Sequence, residues 1–82
     1  MAKQKLLGFR VELVHDSDAS QDKIKTIMRG YGIKYLRVRS PNELSGRTDE
    51  LNADKAFDIA KRLKRDVKKQ FIEVTVSPLY SN

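Results

Sequence analysis

The chain has 82 residues, no cysteine, and 17 Lys and Arg against 11 Asp and Glu, a formal charge of +6 with a pI near 9.8. That length leaves room for one core and no second domain, because a chain of this size buries only about 60 to 65% of its unfolded surface, and without cysteine neither a disulfide framework nor a thiolate metal site can brace it. At 39% hydrophobic and 34% charged residues in a periodic pattern the chain lies outside the disordered class, and no run approaches the roughly 18 apolar residues of a membrane span.

The start, Met1-Ala2-Lys3-Gln4-Lys5-Leu6-Leu7, is basic, but its apolar run breaks at Gly8 and Arg10, too soon for a signal h-region. Cytoplasmic residence is the default expectation. Residues 6 to 14 then alternate, with Leu7, Phe9, Val11 and Leu13 on one side and Gly8, Arg10 and Glu12 on the other, which predicts a strand. His15 to Ser20 offers several N-caps before Ile24, Ile27, Met28 and Tyr31, one helical stripe, and Gly30 and Gly32 close that helix with Gly32 as the αL cap.

Period two returns over Ile33 to Ser40, with Leu36 and Val38 facing one way and Tyr35, Arg37 and Arg39 the other. Pro41 ends it, since proline cannot donate to a central ladder. Pro41 to Asn52 is polar around two isolated leucines, Leu44 and Leu51, and reads as a loop holding at most a short strand or turn at Ser45-Gly46. Asn52 caps a second helix over about residues 53 to 69, whose inner stripe is Ala53, Ala56, Ala60, Leu63 and Val67. Phe71 to Ser77 alternates again, Ile72, Val74 and Val76 inward, until Pro78 stops it and leaves residues 78–82 as a loosely held tail.

The order β-α-β-(β)-α-β predicts a single α+β domain over residues 1–82, with two helices on one face of a small sheet. If Glu43 to Arg47 supplies a strand, this is the ferredoxin-like split β-α-β sandwich; if not, the sheet has three strands, and the first is the favoured reading. Fold of this kind says little about function.

The most distinctive run is Lys61-Arg62-Leu63-Lys64-Arg65-Asp66-Val67-Lys68-Lys69, a cationic helix side that can track a phosphate backbone. The plain reading competes: Asp54 and Asp58 early and cations late complement the helix dipole, and Asp58 with Arg62 makes an i,i+4 pair. Strand phase further predicts a helix-free sheet face showing Arg10, Tyr35, Arg37, Arg39, Phe71 and Thr75. Rings interleaved with arginines suit single-stranded nucleic acid, where bases stack and guanidinium groups hold phosphates. They suit a protein interface equally.

Three other features are set aside. Arg29-Gly30-Tyr31-Gly32 matches half of an RNA-recognition-motif signature, but at a helix end and without the residues that should follow. His15 with Asp16 and Asp18 is a thinkable metal cluster, yet adjacent residues at a strand end rarely converge on one ion. No catalytic constellation or phosphate-cradling loop can be assembled, so no catalytic residue, metal or cofactor is expected.

Two functions remain. The first is a non-enzymatic module binding nucleic acid through its backbone, with Lys61, Arg62, Arg65, Lys68, Lys69, Arg10, Arg37 and Arg39 as contacts. The second is a small accessory factor (inhibitor, adaptor or assembly subunit, a size class that includes regulators of phages and mobile elements) docking on a larger acidic protein through Tyr35, Phe71 and Leu44. Homodimerisation through the same sheet is a subordinate version of the second.

Overall fold

Glu43–Thr48, the polar stretch inside the expected loop, forms a full strand at the centre of the sheet in the computed structural model, which describes residues 4–16, 20–67 and 72–81. The elements in chain order are β1 (Leu6–His15), α1 (Gln21–Gly30), β2 (Lys34–Ser40), β3 (Glu43–Thr48), α2 (Ala53–Asp66) and β4 (Ile72–Tyr80). The four strands lie in the order β2-β3-β1-β4 and every neighbouring pair is antiparallel. This is the split β-α-β arrangement of a ferredoxin-like α+β domain.

Register explains how so polar a strand occupies the centre. Leu13 faces Leu44, Val11 faces Gly46 and Phe9 faces Thr48 across β1 and β3, so Leu44, Gly46 and Thr48 point toward the helices. Gly46 is needed there because a Cβ would come within 2.5 Å of Ile33 Cγ2 and 2.7 Å of Leu36 Cδ2. On the other side of the same strand Glu43, Ser45 and Arg47 are left to the open face. Leu44, expected as an exposed interface residue, is instead sealed in the core and cannot anchor a partner.

Both helices cover one face. Ile24 and Met28 of α1 and Ala56, Ala60 and Leu63 of α2 meet Val11, Leu13, Ile33 and Leu44 in the core, and α2 lies over β4. The Ser20 hydroxyl accepts from the Lys23 N–H at the start of α1, and Asn52 Oδ1 accepts from the Asp54 and Lys55 N–H groups at 2.9 and 3.3 Å. At the other end of α1, Gly32 at φ 80 lets its N–H reach the Arg29 carbonyl and the Ile33 N–H reach that of Met28, a Schellman closure.

β4 does not stop at Pro78. It pairs with β1 through Phe9 opposite Pro78, Gly8 opposite Leu79 and Leu6 opposite Tyr80, and Ser81 N–H donates to the Lys5 carbonyl at 2.8 Å. The expected loose tail is therefore paired as far as residue 81, because on an edge strand the missing proline N–H can face away from the ladder. Helix α2 ends at Asp66, where residue 69 was expected.

The helix ends are tied together by side chains. Tyr31 donates its hydroxyl to Asp66, which Arg65 also approaches at 3.4 Å. The Tyr31 bond, with help from Arg65, holds the Asp66 carboxyl below the ordinary aspartate value, and the same bond pushes the Tyr31 phenol up. A depressed carboxylate contributes stability above its unfolded value and loses it as pH falls through the folded one, and a raised phenol loses its share as pH rises through its folded value, so this tie weakens in acid and again in strong alkali. Tyr31→Phe is expected to move the Asp66 titration upward toward the ordinary carboxylate range, read from its side-chain carbon by NMR. No movement would mean that the hydroxyl does not hold that carboxylate.

Candidate functional site

The sheet face away from the helices brings arginines of three strands close to a few carboxylates. Along β1, Arg10 stands opposite Arg47 of β3, Glu12 opposite Ser45 and Val14 opposite Glu43, while on the β4 side the partners are Ser77, Thr75 and Glu73. Arg37 of β2 faces Ser45, and Arg39 donates from Nε to the Ser45 hydroxyl at 3.0 Å. Arg10, Arg37, Arg39 and Arg47 thus gather around Ser45, with Glu12 on the same rung as Ser45 and Arg37, and with Glu43 and Glu73 one rung further on.

The arginines surround a shallow depression of about 220 Å³, lined also by Tyr35, Ser45, Gly46 and Leu79. That volume is below the roughly 300 to 1,000 Å³ of pockets that engulf a small ligand. It suits a surface laid against an extended partner. Its neighbour around the β2 edge, lined by Arg29, Lys34 and Tyr35 among others, continues the cationic lining past Tyr35.

Tyr35 owes its position to an irregularity. Between Lys34 and Arg37 the β2–β3 register shifts, and Tyr35 itself has φ 54, a left-handed backbone that costs a non-glycine residue about 1 kcal/mol or more. The ring is 73% exposed and lies with its centroid 5.9 Å from the Arg47 guanidinium carbon, within cation–π range. One ring face is therefore available beside four cations.

The charges are unevenly neutralised. Arg10 is 4.0 Å from Glu12, a long contact, and Asp49 lies 3.5 Å from Arg47 Nε and 3.1 Å from Lys34 Nζ. Arg47 Nε is buried and makes no hydrogen bond among the described residues, so the Asp49 contact is one of distance and not of alignment. Among the described residues no carboxylate comes within ion-pair distance of Arg37 or Arg39. Such exposed pairs are worth little, at most about 1 kcal/mol, and an incoming phosphate can displace them.

The residues expected from sequence divide between two surfaces. Arg10, Tyr35, Arg37 and Arg39 converge on the open face as expected, although the β2 residues reach it across two register shifts and not by simple alternation, whereas Lys61, Arg62 and Arg65 sit on α2, on the other side of the sheet. No single surface joins the two sets. On α2, Arg62 is bound to Asp58 at 2.8 Å and Arg65 to Asp66; Lys68, Lys69 and Phe71 lie outside the described residues. Arg47 and Ser45, central to the depression, lie in the stretch favoured from sequence as a short fourth strand, but its polar composition pointed to neither as a site residue.

His15 is a structural node. It is 1% exposed, donates from Nδ1 to the Asp16 carbonyl at 2.7 Å and accepts at Nε2 from Gln21, whose amide also donates to the Ser40 carbonyl. It thereby ties the end of β1 to the start of α1 and the β2–β3 turn. Asp18 lies outside the described residues, and among the described ones no three His, Cys, Asp or Glu side chains gather as a metal set. No helix among them is long and apolar enough to cross a membrane.

Compared with known proteins, the chain matches no protein-family model and no curated sequence. Its site is read from geometry.

Proposed function

We propose that the open sheet face binds single-stranded nucleic acid, with the phosphates held by Arg10, Arg37, Arg39 and Arg47 and one base stacked on Tyr35, and that the protein acts by binding and not by catalysis. The observation that carries this reading is the convergence of four arginines from three strands beside an exposed ring held out by strained backbone. Guanidinium groups match phosphate oxygens in a two-pronged geometry, and an aromatic face beside them accepts any base. Recognition of this kind discriminates little between sequences.

The placing of the carboxylates supports a path for the strand. Glu12 shares a rung with Ser45 and Arg37, and Glu43 and Glu73 lie beyond it, so phosphates are favoured along the rung of Arg10, Arg47 and Lys34, with Arg37 and Arg39 reaching from one side and Arg29 continuing it around the β2 edge. Four phosphate contacts on a single strand predict that a fourfold rise in salt weakens binding about 50-fold. Titrating short single-stranded oligonucleotides at two salt concentrations measures it. An affinity that does not change with salt ends the reading.

A further inference from the structure

The two edges of the sheet are not alike. β2 is guarded: its register shifts twice, and it carries Lys34, Arg37 and Arg39, the devices by which natural edge strands avoid pairing. β4 has none of these over most of its length. Its nine residues, Ile-Glu-Val-Thr-Val-Ser-Pro-Leu-Tyr, include one charged side chain, and its first six precede the proline. Ile72, Val74 and Val76 reach the core yet remain half-buried, because no described residue covers them from the outer side.

Beside this edge runs a groove of about 640 Å³ between α2 and β4, whose floor is Phe57, Ala60 and Val74. Phe57 is 50% exposed there. The charges along the groove are sorted: Asp54 and Asp58 lie toward the start of α2, Lys61 and Lys64 toward its end. A surface with an apolar middle, acids at one end and cations at the other is complementary to itself under a two-fold axis through the middle.

We infer that the outer edge of β4 and the adjoining side of α2 form a homodimer interface, in which β4 pairs antiparallel with β4 of a second copy and α2 packs antiparallel beside its mate. The axis passes near Ala60 and Val74, which brings Asp54 and Asp58 of each copy against Lys61 and Lys64 of the other, with the Phe57 rings closing the gap between the helices. The sheet then continues across the axis, the half-covered β4 side chains are sealed, and the arginine-lined face stays free on both copies. This inference does not depend on what that face binds.

Sedimentation of the native chain from micromolar to millimolar concentration is expected to show a reversible monomer–dimer equilibrium, with β4 amide exchange slowing as the dimer fills. Asp54→Lys/Asp58→Lys and, separately, Lys61→Glu/Lys64→Glu are each expected to weaken self-association about 100-fold, because like charges then oppose across the axis. An equimolar mixture of the two variants is expected to restore a dimer, since each then meets opposite charge. Circular dichroism checks that both variants fold, and the exchange measurement stands on the native chain alone. A native chain that stays monomeric throughout, or a dimer that survives either charge reversal unchanged, overturns the inference.

Discussion

Changing Arg37 and Arg39 together to alanine is expected to lower the affinity for a single-stranded oligonucleotide by about 100-fold or more, and changing Arg62 and Arg65 on α2 to leave it within about twofold. The size follows from the contacts: a hydrogen bond to a charged partner contributes about 1.5 to 3 kcal/mol, and two such contacts are lost. The contrast follows from the fold, which puts the two pairs on opposite sides of the sheet. Arg37 and Arg39 are the better probes of the face because no carboxylate among the described residues pairs with them, whereas Arg62 is held by Asp58 at 2.8 Å and Arg65 by Asp66. Both substitutions are at exposed positions, so the fold should survive. Binding measured at one fixed salt concentration by fluorescence anisotropy decides it. If instead the α2 pair abolishes binding and the β2 pair does not, the phosphate track lies on the helix and the open face serves something else.

The same pair of variants addresses docking on an acidic protein. An acidic partner would feel the loss of Arg37 and Arg39 as well, but its affinity would centre on Tyr35, the exposed aromatic anchor, and would show a shallower salt dependence than a chain of phosphates does. Leu44 drops out of that surface because it is fully enclosed between Leu13 and the helices.

What could be read from sequence was what local chemistry decides. The Asn52 cap, the Gly32 closure and the inner stripes of both helices depend on residues within one turn of each other, and those were legible, except that Ala53, placed in the α2 stripe, is exposed in the first turn. β3 was legible only in outline. Its inward positions are Leu44, Gly46 and Thr48, so the period of two is present, but two of its three members are small or polar and carry no hydrophobic signal. Arg47 went unnoticed for the same reason, although its spacing from Ser45 and Glu43 was the available clue. Nor does any local pattern announce that Tyr35 adopts a left-handed backbone or that β2 shifts register, since both are settled by how the edge strand meets β3 and the core. Arg10 reaches Arg37 and Arg39 only because β3 lies between their strands.

The largest effect on stability is expected from a residue remote from the depression's centre, Gly8. Sequence alternation places it outward with Arg10 and Glu12, but it sits at the shift in the β1–β4 register between Leu6 and Gly8, with φ +151, against the end of β3. A Cβ at this position would be 2.1 Å from the Thr48 carbonyl oxygen, 3.1 Å from its carbon and 3.2 Å from Asp49 Cα. All three are backbone atoms of the neighbouring segment, so no side chain can turn aside to make room. Gly8→Ala must either strain its own φ or push β3 away from β1, and the two costs together come to about 3 kcal/mol or more. A domain of this size has only about 4 to 12 kcal/mol in all, so its urea midpoint should fall by about 2 to 3 M. Leu7→Ala, one residue away at a side chain 37% exposed, should cost much less. A Gly8→Ala protein as stable as the native chain would show that β1 and β3 do not approach as closely as described. Because Thr48 directly follows Arg47, any displacement that does occur also shifts the arginine beneath Tyr35. The variant that folds least well is therefore also expected to bind oligonucleotide more weakly even where it remains folded, a coupling that Leu7→Ala should not reproduce.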